Sequence, residues 1–301
     1  IYTDYSQYDT EADYNAGRTK LANDVLNGLY KPDIIIGNMN DTAYTAILQN
    51  GLFTDLNTLA AGDADFDMND LFGCVKNSYI IDGKMTALPN AINVQTILAN
   101  KSLIGNRTSW TLDELLDVID SLPEGVSFAR NMTQDSAVNM LLGDASFSTF
   151  IDGTECSFDS PTFIRLITYL KGLPESLPDS EYYYENNDMY AEYKSGKIAT
   201  VINSYWGLNS WFEEASYFGM DNTVRIGYPS VNGKSGGTPL ASYTYLFSIM
   251  DSSENKEAAW LFVKSAIMQN VGESDNMPLF HSAFRKMVDK YKNYTFVIYN
   301  N

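Results

Sequence analysis

The chain has 301 residues, 45% of them hydrophobic and 19% charged, with 20 glycines and 9 prolines. That is a globular composition, and it excludes collagen, coiled coil and wholesale disorder; at this length folding buries roughly 75% of the unfolded surface, enough for one large domain or two ordinary ones without staples. Lys and Arg total 20 against 38 Asp and Glu, a net charge of −18, which sets aside general nucleic-acid binding and attachment to anionic lipid, since both need a basic surface.

The elements follow in chain order. Ile1-Tyr2-Thr3-Asp4 reads as a strand already under way, and with no initiating Met or signal peptide in view, sequence is expected upstream of Ile1. Thr10 to Gly28 reads as a helix with Leu21, Val25 and Leu26 on its apolar stripe and Gly28 as a left-handed cap. Ile34-Ile35-Ile36 is a β-branched run of the kind buried on both faces of a parallel sheet. Asp41 caps the next helix and Gly51 stops it, giving a strand–helix–strand–helix rhythm and hence an α/β architecture.

Asp67 to Tyr79 reads as a helix leading into the turn Asp82-Gly83-Lys84, and Thr86 to Leu88 extends to Pro89. Thr111 and Glu114 have the spacing of a capping box ahead of Leu115, Leu116, Val118 and Ile119. Val126–Ala129 reads as a strand, Phe163 to Leu170 and Met189 to Lys194 as helices, and Ile198 to Ile202 as a second buried strand. Val224 to Tyr228 and Leu246 to Met250 are later strands, followed by a helix over Glu254 to Met268. Pro174 to Asn187 is the most loop-like stretch, and no apolar run reaches the about 18 residues that span a bilayer.

Several catalytic and metal-binding patterns fail on spacing. Gly233-Lys234-Ser235 lacks the glycine a phosphate loop needs five positions before its Gly-Lys pair, where Tyr228 stands. Asp63, Asp65, Asp67 and Asn69 alternate like a calcium loop, but Met68 takes the turn position and Cys74 the bidentate one, so they read as a solvated acidic turn. No Gly-x-Ser-x-Gly elbow occurs, and the single histidine, His281, reads as a surface or boundary residue. The carboxylate pairs Asp113/Glu114 and Glu213/Glu214 fall on helices with surface-like neighbours and are weak candidates for glycosidase chemistry. No metal and no cofactor are expected.

The inventory that remains is 21 Tyr, 15 Phe and 4 Trp beside 27 Asn. Flat apolar rings with polar edges and two-way amide hydrogen bonds suit polyhydroxylated ligands, although the same inventory is common in exported proteins of other kinds.

Three stretches in order sharpen this. They are Pro32-Asp33-Ile34-Ile35-Ile36 through Gly51-Leu52-Phe53-Thr54-Asp55-Leu56; Asp82-Gly83-Lys84 with Ala87-Leu88-Pro89 and Leu98-Ala99-Asn100-Lys101; and Tyr193 to Trp206. With Leu240-Ala241-Ser242-Tyr243 and the Lys256-Glu257-Ala258-Ala259-Trp260 helix behind them, they resemble the bacterial extracellular solute-binding proteins, the maltose-binding-like group that feeds ABC importers. The resemblance covers most of residues 30 to 268.

It implies a two-lobed periplasmic-binding-protein-like α/β fold with a ligand cleft between lobes, one built from 1–90 and 233–275, the other from 91–232 and 276–301. It implies that the chain is trimmed at both ends, because the family's first strand and helix precede Ile1 and its helices continue past Asn301. The implied partners are a carbohydrate, expected to be an oligosaccharide, and the transmembrane permease of an ABC transporter, with no cofactor; the protein would be a monomer, extracellular, anchored as a lipoprotein or periplasmic, closing on its ligand at a hinge. Two alternatives stand beside this: a carbohydrate-active enzyme, and a surface carbohydrate-interaction module that has lost transport.

Cleft candidates come from the loops that follow the strands. Trp206 matches the family's stacking tryptophan and ranks first, with Asn203 and Tyr205 expected at the edge of a stacked sugar ring. Asn38, Met39 and Asn40 follow the first buried strand, and Tyr44 lies one turn into the next helix. Ser242 and Tyr243 sit at the re-entry to the first lobe, Asn93 and Gln95 just after the crossover, and Arg130 and Asn131 after Val126–Ala129. Trp110, Trp211 and Trp260 read as core or lobe-surface residues.

Cys74 falls in a first-lobe helix and Cys156 in a second-lobe loop, and a bridge needs Cα atoms within about 7 Å. The two are therefore not expected to be bonded to each other: thiol titration of the denatured, unreduced protein is expected to find both groups reactive in every chain, and a monomer with neither reactive would refute this.

Overall fold

The computed structural model describes residues 10–39, 41–152, 154–177, 186–231, 240–243, 245–268 and 276–292. The chain forms two compact units, Ile1–Ile92 with Tyr243–Asn301 and Asn93–Ser242. Among the described residues no helix is long and apolar enough to cross a membrane. The expected strand at Ile1–Asp4 and the loop at Gly233–Ser235 lie outside the described residues.

In the first unit, α1 (Glu11–Leu26) starts where the Thr10 hydroxyl accepts from the Asp13 amide and ends at Asn27, with Gly28 at φ 69°. β1 (Ile34–Gly37) leads to α2 (Thr42–Gln49), which Asp41 caps by accepting from the amides of Ala43 and Tyr44. The same carboxylate is ion-paired with Arg18 of α1 and both side chains are largely buried. Helix start and helix–helix contact thus share one charge, and losing either partner would strand the other in a low-dielectric site.

α3 (Leu56–Ala61) is capped by Asp55, whose carboxylate also accepts from the Met85 amide at 3.0 Å. The helix expected over Asp67–Tyr79 is broken: a 3-10 turn at Met68–Asp70 is followed by α4 (Gly73–Ser78). Leu71 leaves helical geometry between them to bridge Phe280. β2 (Ile80–Ile81) and β3 (Lys84–Met85) make a hairpin whose two turn residues, Asp82 and Gly83, have φ of 50° and 77°, the positive pair that a two-residue hairpin turn requires.

β4 (Leu88–Pro89) and β1 flank β11 (Leu246–Ile249), which is antiparallel to both, with Ile34 opposite Ile249 and Phe247 opposite Leu88. The parallel, doubly buried strand expected at Ile34–Ile36 is therefore corrected: Ile35 is buried and Ile36 is 45% exposed, the alternation of a strand with one face on the core. That core joins Tyr44, Ile47, Leu48, Phe53, Leu246 and Met250. α11 (Lys256–Met268) adds Trp260, whose Nε1 donates to Asp63 at 2.8 Å while Lys264 reaches the same carboxylate at 2.6 Å. Lys264 and Trp260 hold the Asp63 carboxyl below the usual carboxylate range, so the first residue of the acidic turn is a structural clasp, while Asp65 and Asp67 are exposed as expected.

α12 (His281–Tyr291) belongs to this unit, so residues 276–292, expected in the second lobe, lie in the first. Met277 bridges Ile92, the Phe72 amide donates to the Leu279 carbonyl at 2.9 Å, and the Phe72 ring lies tilted by 60° with its centroid 4.4 Å from that of His281.

The second unit is organised on β5 (Ile92–Asn100). β8 (Thr200–Tyr205) pairs antiparallel with it from Val94↔Tyr205 to Ala99↔Thr200, and β9 (Thr223–Ile226) from Ile97↔Ile226 to Asn100↔Thr223. β10 (Leu240–Tyr243) completes the sheet beside β5, which places 240–242 in the second unit rather than the first lobe. The strand expected at Val126–Ala129 reduces to one parallel bridge, Ser127↔Ile198.

Helices cover both faces of this sheet. α6 (Leu112–Ser121), with the Thr111–Glu114 capping box in place, α7 (Gln134–Leu142) and α8 (Pro161–Lys171) pack with Ile97 around Trp110. Trp110 is wholly buried and its Nε1 donates to the Gly227 carbonyl at 2.9 Å. On the other face, Tyr193 of α9 (Asn186–Lys194) and Phe218 of α10 (Leu208–Phe218) pack on Leu98 and Val201. The short α5 (Lys101–Ile104) and the hairpin of β6 (Ile151–Asp152) and β7 (Glu155–Cys156) complete the unit, and Cys74 and Cys156 form no disulfide.

Gly37 ends β1 against the ring of Tyr44: a Cβ there would lie 2.5 Å from Tyr44 Cδ2 and 2.6 Å from Cγ. The ring is locked in the core, so Gly37→Ala is expected to cost about 1–3 kcal/mol, the range for overpacking. Urea unfolding checks this, and an unchanged midpoint would show that the ring can move aside.

Candidate functional site

The pairing of β5 with β8 decides which side chains share a face, because successive residues of a strand point to opposite sides. Ile97 and Ile202 are register partners and both pack into the cluster around Trp110; Leu98 and Val201 are partners in the Tyr193–Phe218 cluster. Two residues along from Ile97 and Ile202, Gln95 and Ser204 are likewise partners, half-buried, and on the Trp110 side of the sheet. Asn93 continues that row. It is 5% exposed and its Oδ1 has no hydrogen-bond partner among the described residues.

Trp206 is the first residue past β8 and is 48% exposed. Trp110 and Trp260 are buried and Trp211 is half-buried. An indole left half in water at a strand end is a platform in search of an apolar partner.

Asn203 and Tyr205 do not flank it. The alternation turns both to the α10 side, and their expected role at the edge of a ring stacked on Trp206 is corrected. The Glu214 carboxylate accepts from Asn203 Nδ2 and from the Tyr205 hydroxyl, and pairs with Arg225 at 2.7 Å. Arg225 Nε donates to the Tyr205 oxygen at 3.3 Å, and its guanidinium lies 4.9 Å from the Trp211 ring centroid. Burial first, then the neighbouring Glu214, pushes the Tyr205 phenol well above its ordinary value. Glu214 is 4% exposed, so its surface-like reading is also corrected. A signal for it existed: Trp211, Glu214 and Phe218 recur at helical spacing and form one inward stripe of α10.

The other carboxylate pair is structural too. Glu114 closes the capping box by accepting from the Thr111 amide, and Asp113 faces Arg165, which Asp117 and Asp120 also hold. Among the described residues no three His, Cys, Asp or Glu side chains converge as metal ligands.

The remaining candidates divide. Asn38 is half-buried and Met39 is 50% exposed, both just past β1, while Asn40 lies outside the described residues. Tyr44 is wholly buried and shares a 2.7 Å hydrogen bond with Ser248 Oγ, so it is a core residue and not a ligand contact; burial pushes its phenol up. Arg130 is committed to Glu192 at 3.1 Å, and Asn131 sits half-buried in the left-handed region at φ 56°. Ser242 and Tyr243 belong to β10, and their side chains lie outside the described residues.

Residues 7–275 match the family model described as bacterial extracellular solute-binding protein, and the chain belongs to that family. Its members bind solutes and do not transform them. The fold is shared with the sugar-binding protein MalE of Xanthomonas citri, at TM-score 0.56 and 16% identity over 91% of this chain and 72% of that one. It is shared with an ABC transporter solute-binding protein of Agrobacterium vitis S4, solved with bound D-mannitol, at TM-score 0.51 and 18% identity over 90% and 71%. The GacH receptor of Streptomyces glaucescens GLA.O, solved unliganded and with acarbose, gives TM-score 0.50 and 20% identity over 90% and 72%. No curated protein sequence matches the chain. At these identities the likeness is one of fold.

Tyr44→Phe separates core from contact. Removing the hydroxyl leaves Ser248, itself wholly buried, without its partner, an expected loss of about 1–3 kcal/mol in stability. Solute affinity, read by calorimetry, is expected to stay at the parent value; a fall in affinity with stability unchanged would return Tyr44 to the site.

Proposed function

We propose that the chain captures a neutral carbohydrate outside the cytoplasmic membrane and delivers it to the permease of an ABC importer, held at the cell surface by a lipid anchor or retained in a periplasm. The observation that carries this reading is Trp206, an exposed indole at the end of β8. The C–H face of a sugar ring stacks on such a surface. On the same face of the sheet as the Trp110 cluster, Gln95 and Ser204 supply uncharged donors and acceptors suited to hydroxyls. Asn38 and Met39 in the first unit, Asn93, and Ser242 with Tyr243 remain proposed contacts.

Two further facts favour this ligand class. The net charge of −18 works against an anionic solute, and the proteins that share this fold include ones solved with acarbose and with D-mannitol. The enzyme alternative lacks support, since Glu214 and Glu114 are spent on structural hydrogen bonds.

A thermal-shift screen against neutral mono- and oligosaccharides, acarbose and D-mannitol is expected to return at least one stabilising ligand. Truncating a central aromatic anchor costs about 2 kcal/mol, so Trp206→Ala is expected to weaken that ligand roughly thirtyfold while the ligand-free melting temperature changes little. A protein that melts much earlier yet binds normally would make Trp206 a packing residue and remove the site's anchor.

A further inference from the structure

We infer that Glu214 is a positioning residue for Trp206, acting through Tyr205 and Asn203 to hold the end of β8 and the start of α10 at a set angle; the inference rests on the carbohydrate-site reading of Trp206. Only Trp206 and Gly207 lie between Tyr205, the last residue of β8, and Leu208, the first of α10. The direction of the indole is therefore set by how those two elements meet.

The junction has little else to fix it in polar terms. Gly207 is the N-cap of α10 and has no side chain with which to cap it. Glu214, two turns into the helix, reaches back across the junction instead. One carboxylate oxygen accepts from Asn203 Nδ2 and the Tyr205 hydroxyl on β8; the other pairs with Arg225 on β9 at 2.7 Å. Arg225 Nε closes the ring on the Tyr205 oxygen at 3.3 Å, and the Trp211 ring lies 4.9 Å from the guanidinium carbon. Two strands and the helix meet at one carboxylate that is 4% exposed. A buried, fully partnered charge of this kind has few alternative geometries, and it transmits that restriction along two residues of backbone to the exposed indole.

Glu214→Gln keeps the shape but sets an amide donor against the donors of Asn203 and Arg225. Tyr205→Phe removes only the shared hydroxyl and serves if the first variant does not fold. Subtracting the emission of a Trp206→Phe protein isolates the Trp206 signal from Trp110, Trp211 and Trp260. In ligand-free protein of either variant, that signal is expected to shift to the red and to be quenched more readily by acrylamide. An unchanged Trp206 signal in a folded variant overturns the inference.

The second arm uses acarbose as probe. In the Trp206 parent, Glu214→Gln is expected to lower affinity about tenfold; in the Trp206→Phe background the same substitution is expected to add nothing, because residues acting as one unit are non-additive. Equal losses in both backgrounds would make Glu214 a general stabiliser and overturn the inference. The ligand-free spectra decide the matter by themselves, so a protein that binds none of the screened sugars defeats the carbohydrate reading without touching this test.

Discussion

The register of β5 against β8 is the constraint on which the second unit depends. Six residue pairs, Val94↔Tyr205 to Ala99↔Thr200, fix which side chains enter the Trp110 cluster and which enter the Tyr193–Phe218 cluster. A slip of β8 by one residue would exchange its own two sets, putting Ile202 where Val201 belongs and turning Ser204 toward α10 while Gln95 stayed on the Trp110 side. Two different cores, each shaped for its own set, make that exchange costly. The polar row of the candidate site is thus held in place by apolar residues two positions along the same strands.

Each unit also places an arginine against a buried or nearly buried carboxylate beside a candidate loop. In the first, Arg18 meets Asp41, which also caps α2 just after Asn38 and Met39. In the second, Arg225 meets Glu214 beside Trp206. Such pairs add little net stability over an apolar replacement of the same volume, yet breaking one is expensive because the survivor is left charged and dry. Their value lies in direction: a carboxylate with three donors around it tolerates fewer arrangements than packed methyl groups do. In a chain with 20 basic residues against 38 acidic ones, placing arginines at these two points leaves the loops beside them uncharged.

What could be read from the sequence was local. The Thr111–Glu114 capping box, the Asp41 cap, Gly28 after α1 and the Asp82-Gly83 turn all rest on hydrogen bonds or dihedral angles within a few residues, and each stands where it was expected. The family resemblance lay in motifs of similar kind, strand ends and helix starts in fixed order. Features set by distant partners were not legible. Tyr44 looked like a loop-side ring until Ser248, 204 residues away, closed on its hydroxyl. Glu214 looked solvated because its partner Arg225 lies on a separate element, the strand β9. The helix expected over Asp67–Tyr79 broke because Leu71 was needed by Phe280, and the same contact drew 276–292 into the first unit. Asn203 and Tyr205 were assigned by nearness in sequence to Trp206, which in a strand is the wrong measure for adjacent residues.

The two cysteines acquire a meaning from their positions. Cys74 is exposed on α4 in the first unit and Cys156 is exposed on β7 in the second, and the chain has no other thiols. Each compact unit thus carries a single natural attachment point for a dye or a nitroxide. The unaltered chain can serve as its own molecular ruler: energy transfer between the two labels, recorded with and without solute, reports any displacement of one unit against the other without a single substitution.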